Sequence, residues 1–301
     1  MRELEQKPKS RLAVALGYFD GVHLGHRRVL TAAVEAARAA GLQSGVFTFV
    51  FGEENPIKGD AILAPEERRR RIGALGADWY YCPSYDDFCG LSPQQFVDDI
   101  LLERMNAAAV FCGDNFTFGC GGAGDVTLLR ALCSARGVSV TVVPMAREGG
   151  EPVSSTRIRD LLLAGEMEGA NRLLGEPYAL QEPVAHGRKI GRAKLGFPTI
   201  NQRYQPGMLL PRSGIYITRA LVGGKAYPAA TGLGDRPTVG GADITCESFL
   251  IGFDGNLYGD AVRLEFFKYI APTRKFDTLE ELKACISDAA RQSRAYFAAG
   301  R

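Results

Sequence analysis

Gly17-Tyr18-Phe19-Asp20-Gly21-Val22-His23-Leu24-Gly25-His26 follows a five-residue apolar run, Leu12-Ala13-Val14-Ala15-Leu16. The run reads as a buried strand. Beyond the stretch, Val29, Leu30, Ala33, Val34 and Ala37 recur at the spacing of one helix face. The stretch is therefore a glycine-rich turn from a strand into a helix. Unpaired backbone N–H groups at such a helix start attract anions, phosphates above all. His23 and His26, three residues apart, reach the same region and can donate hydrogen bonds to phosphate oxygens. Gly25 between them permits close approach of a ligand to the backbone. Only one other histidine, His186, occurs in the chain.

Working outward, strand and helix patterns alternate. Gly41 reads as a helix C-cap and Gly45 to Phe51 as a second strand, followed by a turn-rich loop from Gly52 to Pro65. Pro65-Glu66-Glu67 opens a helix to about Leu75. Its run Arg68-Arg69-Arg70-Arg71 reads as a solvated face, with a phosphate-binding patch as the alternative. Trp79–Tyr81, Ala107–Cys112 and Val138–Val143 read as further strands, with helices from Ser92-Pro93 and over Leu128–Arg136. This alternation predicts a parallel sheet covered by helices on both faces, with ligands beyond the carboxyl ends of its strands.

From about residue 180 the pattern changes. Ile215–Val222 and Glu247–Phe253 read as strands, Gly223-Gly224 and Asp254-Gly255 as turns, and Val262–Phe266 alternates in period two. These predict an antiparallel sheet or small barrel. A last helix spans about Thr278 to Phe297, with Thr278 and Glu281 as a capping box and Leu279, Leu282, Ile286, Ala289 and Ala290 as its apolar face. Gly175-Glu176-Pro177 marks the linker. The expected fold is α/β plus β: a Rossmann-like domain over residues 1–180, then a β-barrel domain with a C-terminal helix over 181–301.

Composition sets outer bounds. The chain has 301 residues, enough for two cores, and a formal net charge of +2, too small to point to nucleic acid or an acidic membrane surface. Its seven cysteines are odd in number and form no Cys-x-x-Cys, which argues against a disulfide framework or a zinc site. The N-terminus has no apolar h-region, and no apolar run approaches the ~20 residues of a bilayer span. A reducing cytoplasm is the expected location.

Three more stretches carry chemistry. Ser154-Ser155-Thr156-Arg157-Ile158-Arg159 opens a helix with more hydroxyls and guanidinium groups than capping needs, a set suited to a triphosphate. Gly113-Asp114-Asn115-Phe116-Thr117-Phe118-Gly119 follows a strand directly. Gly187 to Asn201 is glycine-rich and basic, in the manner of a phosphate-cradling loop, and contains Lys194, Gly196, Phe197, Pro198 and Thr199.

Together these motifs resemble the bacterial bifunctional riboflavin kinase/FAD synthetase family. Phe-Asp-Gly-Val-His-x-Gly-His is similar to its nucleotidyltransferase signature. The Ser154–Arg159 stretch resembles its Ser-Ser-Thr-x-Ile-Arg motif, and Gly113–Gly119 its flavin-phosphate segment. Gly-Phe-Pro-Thr-Ile-Asn resembles the core of its riboflavin kinase signature, Gly-Phe-Pro-Thr-Ala-Asn. Two further stretches, Gly234 to Gly241 and Glu247 to Gly259, also match family segments.

The resemblance implies ATP-dependent phosphorylation of riboflavin to FMN, then adenylyl transfer from ATP to FMN, giving FAD and pyrophosphate. It implies ATP or phosphate contacts from Gly17, Phe19, Asp20, Gly25, Ser154, Ser155 and Thr156 in the first half, and from Gly187, Gly191, Lys194, Gly196 and Pro198 in the second. It implies that His23, His26 and Arg159 neutralise charge on the leaving group and that Asn115 places the FMN phosphate. In the second half it implies Mg²⁺ held by Thr199, supported by Asn201, and Glu247 as base for the riboflavin 5′-hydroxyl.

The chain departs from the family pattern at four places. Tyr18 stands where asparagine is common, and Val50 to Pro56 lacks the usual Pro-His-Pro. Ala193-Lys194 lengthens the kinase loop by one residue, and Ala271 occupies a frequent arginine position, with Arg274 nearby. A kinase with an altered adenylyltransferase module, a non-catalytic flavin- or nucleotide-binding regulator, and a cytidylyltransferase first module are the competing readings. Oligomeric state is not legible.

Overall fold

The computed structural model describes residues 1–52, 60–185, 199–238, 241–274 and 276–300. The chain forms two compact units, Met1–Ala61 with Pro65–Ser155, and Ile62–Ala64 with Thr156–Arg301.

The first unit is built on a six-stranded parallel sheet. Its strands are β1 (Arg2–Glu3), β2 (Leu12–Leu16), β3 (Gln43–Phe47), β4 (Trp79–Tyr81), β5 (Ala107–Gly113) and β6 (Ser139–Val143), in the order β1-β4-β3-β2-β5-β6. Every residue of β2 is at most 1 % exposed, which is why it reads as a continuous apolar run rather than an alternating one. Helix α1 (Leu24–Ala39) buries the predicted stripe Val29, Leu30, Ala33, Val34 and Ala37. Burying a valine or leucine side chain is worth about 1.5–3 kcal/mol.

Helix α2 spans Pro65–Ala74. A short helical turn, α3 (Pro93–Gln95), runs into a π-helix over Phe96–Arg104, where the Met105 N–H donates to the Ile100 carbonyl at 3.0 Å. Helix α4 (Val126–Ser134) starts two residues before the predicted helix because Asp125 caps it, accepting from the Leu128 N–H at 2.8 Å. A hairpin of β7 (Arg147–Glu148) and β8 (Glu151–Pro152) leads to the next helix.

From β2 the chain steps to β3 and β4 on one side, then crosses back to β5 and β6 on the other. The order therefore reverses between β2 and β5, the crevice where open α/β sheets bind ligands. The Gly17–His26 turn leaves β2 at that crevice, and Gly113–Gly119 leaves β5 beside it.

The second unit holds α5 (Ser155–Ala164) after its first residue, α6 (Met167–Leu174), and an antiparallel six-stranded sheet. The strands are β9 (Tyr178–Pro183), β10 (Thr199–Arg203), β11 (Gly214–Val222), β12 (Lys225–Thr238), β13 (Gly241–Leu250) and β14 (Ala261–Ala271), in the order β10-β13-β12-β11-β14-β9. The sheet curls until its edges meet. The Ala185 N–H donates to the Asn201 carbonyl at 2.7 Å, and the Gln202 amide donates to the carbonyls of Glu182 and Val262, both at 2.7 Å. As predicted, Gly223 and Gly224 turn β11 into β12, both with positive φ.

Several sequence-based expectations shift. The predicted strand to Phe51 ends at Phe47, and the strand at Glu247 begins at Gly241 and ends at Leu250. Thr199 to Asn201, expected in a loop, lie in β10. Helix α7 (Leu279–Ala298) has its Thr278 cap, but the Glu281 carboxylate accepts from Asp277 N–H rather than closing the box on Thr278. Leu279, expected on the buried face, is exposed; Ala289, Ala290 and Ser293 are the helix's buried residues.

Candidate active sites

The β2 turn is held by strained backbone. Phe19 (φ +53°), Gly21 (φ +83°) and Val22 (φ +44°) all lie in the left-handed region. For a glycine this is ordinary; for β-branched Val22 it is an outlier. Such conformations cost of order 1–3 kcal/mol each and persist only where the surroundings over-determine them. Here both Phe19 and Val22 are buried, the Val22 N–H donates to the Phe19 carbonyl at 3.1 Å, and Arg27 Nε donates to the Val22 carbonyl at 3.2 Å.

His23 is the N-cap of α1. Its Nδ1 accepts from the backbone N–H groups of Gly25 (3.1 Å) and His26 (3.3 Å). An accepting Nδ1 carries no proton, so the ring proton sits on Nε2. Burial lowers the His23 pKa to about 4, so the ring is neutral at pH 7 and offers one donor rather than a positive charge. The His26 ring stacks on it, centroids 3.6 Å apart, and packs edge-on against Phe19. A Cβ on Gly25 would lie 3.0 Å from His23 Cε1. Gly25 thus makes room for the His23 imidazole.

Ser155 meets this turn: its Oγ donates to the Asp20 carbonyl at 3.1 Å. Asp20 itself is buried. Ser154 and Ser155 are half-buried, Thr156 is exposed, and Arg159 is half-buried on α5 in the second compact unit. Gly17 continues the sheet, its N–H donating to the Phe47 carbonyl at 3.2 Å. Asn115 is exposed two residues beyond β5, its Oδ1 3.3 Å from where a Cβ on Gly113 would stand.

In the second unit, the β10–β13 register sets Asn201 directly opposite Glu247. Thr199, two residues along the same face, donates its hydroxyl to Glu247 Oε1 at 3.0 Å. Asn201 is 9 % exposed, and its Oδ1 is buried without a hydrogen-bond partner among the described residues. A buried carbonyl oxygen left unsatisfied asks for an explanation, a water or an ion. Thr199, Asn201 and Glu247 thus converge as an all-oxygen group. On the opposite face, Ile200, Gln202, Cys246 and Ser248 are buried. There Thr218, Thr231 and Ser248 form a buried hydroxyl ladder, with 2.6 and 2.7 Å between successive oxygens.

Comparison with known proteins decides the family. A family model of FAD synthetase matches residues 5–157, and one of riboflavin kinase matches residues 174–297. A bifunctional riboflavin kinase/FMN adenylyltransferase of Bacillus subtilis is 33% identical over 98% of this chain and 95% of its own. The protein of that name from Escherichia coli K12 is 33% identical over 99% and 96%. The chain belongs to the bifunctional riboflavin kinase/FMN adenylyltransferase family. A crystal structure described as a macrolide-efflux protein of Streptococcus pneumoniae has the same fold, with a TM-score of 0.85 at 29% identity over 96% of each chain. No helix among the described residues of this chain is long and apolar enough to cross a membrane.

Of the family motif positions, Gly187, Gly191, Lys194, Gly196 and Pro198 lie outside the described residues, as does Ala193. The departures that are described have definite settings. Tyr18 stacks on Phe49 at 5.0 Å, and Phe51 packs against Tyr18, Phe49 and Tyr85. The altered segment therefore contributes aromatic surface at the end of β3. Ala271 pairs with Ile215 in the sheet, and Arg274 lies 5.1 Å over the Phe276 ring.

One expectation is corrected. The arginine run of α2 is only half solvated: Arg69 and Arg70 are exposed, whereas Arg68 and Arg71 are buried with Glu67. Glu67 takes Arg71 Nε at 2.8 Å and Arg70 Nε at 2.7 Å. Arg68 reaches back to the turn of β2, a placement that the sequence reading missed. Glu67, placed to neutralise arginines three and four residues on, signalled the burial of Arg71 but not of Arg68.

Proposed function

We propose that this chain phosphorylates riboflavin to FMN and adenylylates FMN to FAD, each at its own site. The single observation that carries this reading is the presence in one chain of both constellations: stacked His23 and His26 at the β2 helix start, and Thr199, Asn201 and Glu247 across β10 and β13.

In the first reaction, Glu247 accepts the proton of the riboflavin 5′-hydroxyl as that oxygen attacks the γ-phosphorus of ATP and ADP leaves. The Thr199 hydroxyl donates to Glu247 and so orients the carboxylate. With its proton directed there, the Thr199 oxygen presents lone pairs elsewhere. Those lone pairs and the buried Asn201 Oδ1 suit a hard cation, and Mg²⁺ prefers such oxygen ligands together with phosphates and water. When bound, Mg²⁺ supplies charge neutralisation of the triphosphate. Gly187, Gly191, Lys194, Gly196 and Pro198 are assigned to the phosphates by family motif.

In the second reaction, an FMN phosphate oxygen attacks the α-phosphorus of ATP, the bond to the β-phosphate oxygen breaks, and pyrophosphate leaves. No protein nucleophile takes part. The neutral His23 donates through Nε2–H, and His26 and the α1 N-terminus stand at the same place. His23 keeps that neutral form as a donor, because its Nδ1 already accepts from the Gly25 and His26 N–H groups. We assign the remaining contacts to Gly17, Phe19, Asp20, Gly25, Asn115, Ser154, Ser155, Thr156 and Arg159. The location that suits both reactions is the cytoplasm, where ATP and Mg²⁺ are supplied.

Incubating the chain with riboflavin, ATP and Mg²⁺ should yield FMN first and FAD second by chromatography. FMN that accumulates with no FAD, even with FMN and ATP in excess, would leave only the kinase. No product from either flavin would contradict both halves.

A further inference from the structure

We infer that Arg68 is a positioning residue for adenylyl transfer, a clamp that holds the strained turn between β2 and α1 in its working conformation. The inference rests on the reading of that turn as the adenylyl-transfer site.

Arg68 lies on α2 with its side chain buried. Nη1 donates to the Tyr18 carbonyl at 3.1 Å, and Nη2 donates to the Phe49 carbonyl at 2.9 Å. Nη2 also lies 3.8 Å from Cys82 Sγ, and the guanidinium stands 5.2 Å over the Tyr18 ring. Among the described residues no carboxylate pairs with it, and its Nε has no hydrogen-bond partner. A buried cation without a counter-charge costs stability and calls for an explanation.

The explanation is in what it holds. Tyr18 is the last residue before the chain enters left-handed conformations at Phe19, Gly21 and Val22. Its carbonyl takes two donors, Arg68 Nη1 and Thr48 Oγ1, the latter at 2.8 Å. One residue earlier the Gly17 N–H is tied to the Phe47 carbonyl. The end of β2 is therefore fastened to the end of β3 immediately before the strained segment. Strained backbone holds only where its surroundings over-determine it. Without Arg68 the turn can relax, which would move the His23 and His26 rings and the α1 N–H groups relative to a bound triphosphate. Misplacement by about 1 Å can cost ~10²-fold in rate.

The test compares Arg68→Met, Arg68→Lys and Thr48→Val with the wild-type chain. FAD formation from supplied FMN, ATP and Mg²⁺ is measured alongside riboflavin phosphorylation and thermal melting. Arg68→Met should lower kcat for adenylyl transfer by roughly 10- to 100-fold. KM for FMN and ATP should stay within about threefold, because the turn acts in the transition state more than in ground-state binding. Arg68→Lys, which can still donate to one carbonyl, should recover about fivefold or more over Arg68→Met. Thr48→Val should lose activity in the same direction by a smaller factor. Riboflavin phosphorylation should be unchanged in all three.

An active wild type matched by all three variants overturns the clamp alone. So does an Arg68→Lys rate no better than that of Arg68→Met. If Arg68→Met melts the first unit, the other two variants decide, and wild-type rates in both overturn the proposal. A wild-type chain that makes no FAD defeats the reading of the turn, and the clamp's catalytic role falls with it.

Discussion

The two candidate sites are built by different structural means for the task proposed for both, holding a triphosphate. In the first unit the site is backbone: a turn at a strand end, with strained φ angles, a helix N-terminus, and a neutral histidine spent on capping. In the second the site is side chain: regular strand residues in cross-strand register, with a carboxylate, a hydroxyl and an orphan amide oxygen converging. A turn can be disturbed from a distance, through whatever clamps it. A pair of ladder strands holds its side chains in place by the sheet itself. The first site should therefore be sensitive to residues that never touch ligand, and the second chiefly to its own side chains.

Four substitutions break or sharpen that contrast. The largest effect is expected from Glu247→Gln, which removes the proposed base: riboflavin phosphorylation should fall by about 10²–10⁴-fold, while FAD formation from supplied FMN persists. His26→Ala should do the reverse, lowering adenylyl transfer by on the order of 10²-fold with phosphorylation intact. A loss of both activities in either variant, in a folded chain, would remove the distinction between the sites. Next, Gly25→Ala should reduce adenylyl transfer by about tenfold, because its methyl would stand 3.0 Å from His23 Cε1 and displace the ring. Rates equal to wild type would show that the His23 position is not needed.

The smallest effect concerns stability. The neutral form of His23 is favoured in the fold, with a pKa near 4 against 6.5 for the free side chain. Between those values the unfolded chain binds the extra proton. Stability from this residue is full above about pH 6.5 and is lost as pH falls toward 4, on the order of 3 kcal/mol in all. Asparagine also caps helices, so His23→Asn should flatten the fall in the first unit's melting temperature between pH 6.5 and 4. An unchanged slope would assign that pH dependence to other groups.

Much of this was legible in the sequence because the deciding patterns are local. The apolar run Leu12–Leu16, the α1 stripe and the Gly223-Gly224 turn each report on their own neighbourhood. The convergence of Asn201 and Glu247 was implied only by family resemblance, since the 45 residues between them hide a cross-strand register that spacing cannot reveal. Strands β9, β10 and β12 carry no clear alternation of their own; they exist because the barrel closes around them. The linker read at Gly175-Glu176-Pro177 falls between α6 and β9, whereas contacts divide the chain at Ser155. The reason is α6, whose buried Met167, Ala170, Leu173 and Leu174 belong with the second unit. Arg68 was misread because charge counts alone do not show which arginines a helix turns inward.

The most direct test of two independent sites is complementation in one tube. Glu247→Gln and His26→Ala, each shown to keep its own remaining activity, are mixed with riboflavin, ATP and Mg²⁺. Each variant alone should make FAD from riboflavin far more slowly than the mixture, by on the order of 10²-fold. In the mixture, FMN released by the His26→Ala chain is adenylylated by the Glu247→Gln chain. A mixture that accumulates FMN and forms FAD no faster than the variants alone would contradict the account.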